Sequence, residues 1–142
     1  MVDVTVARAI HVLSIVHWIG GLAFVTLVVL PLCRGTGIAL FEQVERVFSR
    51  QVRVSVPLAG ASGFYMADRL DLWPRFLDPA AWWLGAMVIL WLLFMVVLFV
   101  VEPLARHRVP ELRFLARAHK ALLAVSSLVI ATAVLGAHGL LG

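Results

Sequence analysis

Apolar positions along this chain neither alternate nor keep to one helical face; they run almost unbroken in four blocks separated by polar stretches. A run of about 20 apolar residues is the length that a hydrocarbon core of about 30 Å requires. The pattern predicts helices over about 4–32, 42–67, 80–101 and 115–141. The first is expected to stop at Pro31-Leu32-Cys33-Arg34-Gly35. The second has a short apolar part, Val54 to Ala67, entered through an amphipathic extension from Phe41 to Arg53, and Pro57 is expected to kink it. The third, Ala80 to Val101, is uninterrupted by charge. The expected fold is all-α, an integral membrane four-helix bundle forming one domain over 1–142.

Composition sharpens this. Of 142 residues, 63% are hydrophobic and 14% charged, and the mean hydropathy is +1.01. A soluble domain of this length could not hide so much apolar surface. No Ala-x-Ala cleavage site follows the first block, so it reads as a retained helix rather than a signal peptide. Cys33 stands alone, excludes an internal disulfide and reads as inert packing. The net charge of +4 needs no nucleic acid to explain it.

The basic residues cluster instead in two connections. Arg34, Arg46, Arg50 and Arg53 lie in the first; Arg106, Arg108, Arg113, Arg117 and Lys120 lie in the third. Only Arg8, Arg69 and Arg75 stand on the other side. The positive-inside rule then puts both termini outside the cytoplasm, and the expected location is a bacterial inner membrane. Trp73, Trp82 and Trp83 are expected as an aromatic belt at the outer interface.

Histidines within the apolar blocks carry the candidate chemistry, because an intramembrane ionisable group is costly. With a rise of about 1.5 Å per residue, His11 lies roughly 10 Å and His138 roughly 6 Å from the outer ends of their helices. These two are the expected axial pair for one haem b iron. His17 falls roughly 20 Å deep and His119 some 15 Å further in, so their pairing around a second haem requires tilt. His11 and His17 stand about 120° apart on the first helix, which disfavours one shared metal. Arg8 and Arg69 are candidate partners for haem propionates. Arg46, Arg50 and Arg53 recur at helical spacing; such a stripe contacts anionic headgroups, with a propionate or quinone role for Arg50 as the sharper reading. His107, between Arg106 and Arg108, reads as solvated. Gly20, Gly21 and Ala59-x-x-x-Gly63 mark close helix contacts or room for a flat macrocycle. The bland alternative for each histidine is a neutral imidazole hydrogen-bonded inside the bundle.

The segment Ile10-His11-Val12-Leu13-Ser14-Ile15-Val16-His17-Trp18-Ile19-Gly20-Gly21-Leu22 resembles the opening helix of the CopD-like membrane proteins. Phe48-Ser49-Arg50, Val56-Pro57-Leu58 and Ser62-Gly63 resemble that family's second helix. Leu104-Ala105-Arg106-His107-Arg108 and Phe114-Leu115-Ala116-Arg117-Ala118 are similar to its third connection and fourth-helix entry. The superfamily includes copper-resistance membrane proteins and, more distantly, the haem-binding protoporphyrinogen oxidase HemJ, whose first-helix histidine His11 matches. HemJ carries a Lys in its third helix, whereas Trp83 to Leu90 holds none, which counts against that activity. His119 stands about where copper-type relatives often have a carboxylate.

The expected function is therefore that of a membrane b-type cytochrome with one haem b, or two, passing single electrons between a quinone and an outer-side redox protein. Bundle cores commonly house such cofactors. A copper-transporting or copper-binding protein is the alternative, with His11, His17 and His138 as ligands; Met66, Met87 and Met95 are not expected to cluster with them. An accessory subunit of a respiratory complex, or a homo-oligomer, is a further reading. Neither a Ser/His/Asp set nor a Gly-rich phosphate loop is legible.

Overall fold

The computed structural model describes residues 2–36, 38–105 and 112–139, and among these every regular element is helical. The first rod, α1, covers 2–36 as Val2–Phe24, one π turn at Val25–Val29, and Leu30–Thr36. The second, α2, is Ile38–Arg69. Two short 3₁₀ turns, Trp73–Leu77 and Pro79–Ala81, lead to α3. That rod covers 82–105 as Trp82–Val96, a π turn at Val97–Val101, and Glu102–Ala105. The last, α4, is Leu112–Ala137. Positions 140 and 141, expected in the fourth helix, and the basic run Arg106-His107-Arg108 lie outside the described residues.

Two prolines fail to stop their helices, and for one reason. Pro31 stands two positions after the π turn Val25–Val29, and Pro103 two positions after Val97–Val101. A proline ring in an α-helix collides with the carbonyl four residues back and leaves it unbonded. The wider π register just before each ring relieves that crowding. Hence α1 runs four residues past its expected end at 32, and α3 four past 101. At the other end of α3, Asp78 caps the preceding turn: its side chain accepts from the Ala80 N–H at 2.9 Å, which delays the helix to Trp82.

α2 ends in a Schellman closure, with the Leu72 N–H reaching the Ala67 carbonyl at 2.8 Å. Asp71 occupies the left-handed position at φ 50°, where a side chain is disfavoured by about 1–2 kcal/mol. Asp71→Gly is accordingly expected to stabilise the protein by up to about 1 kcal/mol. A higher midpoint of thermal unfolding in detergent would register it, and an unchanged or lower midpoint would count against the strain.

Three helical segments are long and apolar enough to cross a membrane: Val2–Cys33, Pro79–Leu104 and Phe114–Ala137. α2 is not among them, because its first half carries Glu42, Glu45, Arg46, Arg50 and Arg53. Large apolar side chains cover the exterior, including Leu13, Leu27, Ile89 and Leu128. Helices apolar all round suit lipid rather than water.

All four rods contribute to one central core. Trp18 and Leu22 of α1, Val52, Val56 and Ala59 of α2, and Leu90, Phe94 and Leu98 of α3 form it, with Leu122, Leu123 and Val129 of α4 packed against them. Trp18 meets Phe94 edge-on, ring centres 4.6 Å apart. A second cluster joins Val25, Val29, Leu30 and Cys33 to Phe41. Trp83, expected in the outward belt, is instead buried beside Ala133. Consecutive helical residues point about 100° apart, so Trp82 stays exposed while Trp83 turns in.

The charged half of α2 is not simply a solvated stripe. Arg46 and Arg50 are exposed, but Arg53 turns inward and pairs with Glu102 of α3 at 2.9 Å. Beside them burial, and then Glu102 and Glu42, push the Glu45 carboxyl up from 4.5 to about 7. A folded-state pKa above the unfolded one means that the folded chain holds its proton more tightly. Stability from this group is full below about pH 4.5 and falls as pH rises towards 7. Glu45→Gln is expected to remove that loss, so its unfolding midpoint should gain on the parent's between pH 5 and pH 8. An unaltered pH dependence would contradict the burial.

Candidate functional site

A cavity of about 300 Å³ lies between the rods, lined by apolar and aromatic side chains from all four. Its polar side chains are few: His11 and the exposed Arg8 from α1, beside the indole rings of Trp18, Trp83 and Trp91. A mostly apolar pocket with a few convergent polar groups is the usual form of a small-molecule site.

Small residues on α2 make the site. His11 is half-buried, and its Nδ1 lies 2.7 Å from the Ala59 carbonyl oxygen and 3.3 Å from Ser62 Oγ. A carbonyl only accepts, so Nδ1 carries the hydrogen and donates it. In an uncharged ring Nε2 is then a bare lone pair. Ser62 in turn donates to the Leu58 carbonyl at 2.6 Å. Gly63 lets the ring approach, since a Cβ there would sit 3.1 Å from His11 Cε1. A metal-ligating histidine has its second nitrogen tied in this way, and so does a neutral imidazole satisfied inside a helix bundle.

Trp18 follows His11 by seven positions, two helical turns on, and lines the same cavity. It is only 4% exposed, and its Nε1–H is buried without a hydrogen-bond partner among the described residues. A native structure seldom leaves a buried donor unsatisfied without cause. By contrast Trp91, on the opposite wall, donates its indole N–H to the Val56 carbonyl at 2.9 Å.

The remaining candidates are not brought to this cavity. His138 is exposed and donates through Nδ1 to the Val134 carbonyl at 2.8 Å. Gly136 of the same helix faces Trp83, and two positions on turn the helix by about 200°, so His138 points away. The expected pairing of His11 with His138 is therefore not formed in this arrangement. His119 is half-buried, donates to the Leu115 carbonyl at 3.0 Å and meets Phe41 edge-on. His17 is exposed in an open groove lined also by Gly20, Gly21, Phe24, Gln43 and Gln51. His119 does not line that groove, so His17 and His119 are likewise apart. Among the described residues no three of His, Cys, Asp and Glu converge on one point.

Of the arginines, Arg8 lines the His11 cavity. Arg69 pairs with Asp3 at 3.1 Å, and Tyr65 donates to the same carboxylate at 3.0 Å. Arg50 lies on the exposed face of α2. Met66 and Met87, expected apart from the histidines, both line the cavity with His11. Depth counting along separate helices missed them because it ignores which faces meet. Trp18 was not among the expected site residues, although its seven-residue spacing from His11, which keeps both on one face, was signal enough to find it.

No family model, curated protein or solved structure matches the chain.

Proposed function

We propose that the chain is a small membrane redox protein that works at the cavity beside His11. In this reading it is a four-helix bundle of CopD-like ancestry in a bacterial inner membrane, with both termini on the non-cytoplasmic side and the cavity in its outer half. The observation that carries the reading is the His11 ring, with Nδ1 held by the Ala59 carbonyl in an aromatic wall. Such a ring offers Nε2 to a ligand and cannot rotate without losing its bond.

Haem b is the cofactor expected from the intramembrane histidines. His11 suits one axial position, and Arg8 suits a propionate. Among the described residues no second histidine lines the cavity, so a bis-histidine site does not fit as the helices stand. Size weighs the same way. A cavity of about 150 Å³ holds one benzene ring, and this one is about 300 Å³. Trp91 packed against Gly60 and Trp83 against Gly136 would have to withdraw before a macrocycle entered. One substituted ring fits without that movement.

Copper(I) is the second reading, favoured by Met66 and Met87 lining the cavity with His11. Thioether and imidazole ligands suit that ion. Purification from native membranes, with haem, copper and extractable organic redox groups quantified per chain, tests the proposal. A redox group near one per chain supports it; none of the three would overturn it.

A further inference from the structure

We propose that two copies of this chain pair within the membrane through the outward face of α1 and α2. The proposal is independent of the His11 cavity. An open groove runs between the two rods on that face, and His17, Gln43 and Gln51 line it with exposed side chains. His17 stands midway along the span Val2–Cys33. None of the three has a hydrogen-bond partner among the described residues. An ionisable side chain at that depth almost always faces protein or a water-filled cavity rather than hydrocarbon. Gly20 opens a notch beside His17: nothing lies within 4 Å of a Cβ there, whereas the adjacent Gly21 is filled by the Phe48 ring. Small residues with polar groups beside them are the usual make-up of helix contacts in lipid.

The second half of the chain shows what a lipid-facing surface looks like in this fold. Val28-Val29-Leu30-Pro31-Leu32-Cys33-Arg34 and Val100-Val101-Glu102-Pro103-Leu104-Ala105-Arg106 differ at two of seven positions, and each proline follows its π turn in the same register. Gly63 meets the His11 ring as Gly136 meets the Trp83 ring. The pair α1 and α2 is therefore the counterpart of α3 and α4. In the register of the π turns, Ile89 takes the place of His17 and Leu92 that of Gly20. In the register of Gly63 and Gly136, Ala124 takes the place of Gln51. All three are exposed and apolar, as contact with hydrocarbon requires. The polar groups of the first pair are a departure confined to one face.

A second copy satisfies them. A two-fold axis along the membrane normal leaves every residue at its own depth, so His17 meets groups of its own level. Gln51 lines the groove with it. An amide both donates and accepts, so it bonds an imidazole in either tautomer. His17 then pairs with the partner's Gln51, and Gln51 with the partner's His17. Val16 and Phe24, both exposed, supply the bulk that enters the partner's notch. Further along α2, Glu42 and Arg46 are exposed one turn apart and carry opposite charges, which pair across the axis in the same way. A lipid chain in the groove would leave His17 and Gln51 unbonded.

The test is self-association of the full chain in liposomes, read as energy transfer between donor- and acceptor-labelled copies while added lipid dilutes the protein. A saturable dimer is expected. Gly20→Leu fills the notch and should abolish it, and the fold should tolerate the change because Leu92 already stands at the equivalent place. His17→Leu and Gln51→Leu should each weaken the dimer about tenfold, since each removes two symmetry-related hydrogen bonds. Ile89→Ala, on the equivalent lipid-facing surface, should change nothing, and equal unfolding midpoints would show that the variants fold. A monomer at every dilution, or a dimer indifferent to Gly20→Leu, would overturn the proposal. So would a dimer weakened as much by Ile89→Ala as by His17→Leu. Native mass spectrometry of the chain from its own membranes decides between partners: two copies are expected, and a different protein released by Gly20→Leu would overturn pairing between copies.

Discussion

His11→Ala is expected to abolish retention of the redox ligand while leaving the helices intact. Among the described residues the side chain is the only histidine on the cavity, and its Nε2 is the one acceptor left in the ring. Metal sites typically lose about 10–100-fold in affinity when only a partner supporting a ligating histidine is removed. Removing the ligating ring itself should cost more. The structural penalty is smaller, because His11 is half-buried and its loss frees only the Ala59 carbonyl and Ser62 hydroxyl from a shared bond. Both retain other partners within α2, the hydroxyl donating to Leu58. His11→Gln offers a finer comparison, since it keeps polarity at the position without an imidazole lone pair. Ligand content per chain and the unfolding midpoint, measured on the same preparations, separate the two effects. Full retention in His11→Ala would sink the site.

Gly60→Ala should cost substantial stability although it adds a single carbon. A Cβ at Gly60 would stand 2.5 Å from Trp91 Nε1 and 2.6 Å from its Cζ2. The indole cannot step aside freely, because Nε1–H is bonded to the Val56 carbonyl one turn away on the same helix. Overpacking of this kind costs about 1–3 kcal/mol, and loss of the hydrogen bond adds about 1 kcal/mol. Trp91 also forms a wall of the His11 cavity, so ligand affinity should fall with stability. Gly85→Ala is the matching control: nothing lies within 4 Å of the added carbon. There the better helix propensity of alanine should prevail, a gain of up to about 1 kcal/mol. Unfolding midpoints for the pair in one detergent decide the matter; similar values for both would refute the close contact at Gly60.

How much of this was legible without coordinates depends on the kind of signal. The all-helical character and the three membrane-length helices followed from block lengths, because a hydrocarbon-length apolar run leaves little alternative to a helix. The ends were misjudged at Pro31 and Pro103, where a π turn just before each ring lets the helix continue. Sequence periodicity does not report that local change of register. His11 was legible as a site residue, since an imidazole within an apolar helix requires a partner. The identity of that partner was not, for the Ala59 carbonyl is a backbone group that any residue type would supply.

Pairings between helices were the weakest part of the sequence reading. Counting residues from helix ends gives depth but not azimuth, so His11 and His138 read as neighbours although the latter faces outward. The same blindness separated Met66 and Met87 from His11, with which they share a cavity. Trp83 was assigned to an outer belt by residue type alone, whereas the space left by Gly136 draws it inward. Trp18 shares a helix and a face with His11, so its place on the cavity was readable from spacing and was not read.

The most direct test of the His11 cavity as a redox site is a paired analysis of wild-type and His11→Ala protein purified from native membranes. Reduced-minus-oxidised optical spectra, copper content and quinones extracted into organic solvent are measured per chain. The expected result is one redox-active group per wild-type chain and its loss from the variant. A wild-type protein carrying none of these groups, or a variant carrying as much as wild type, would contradict it.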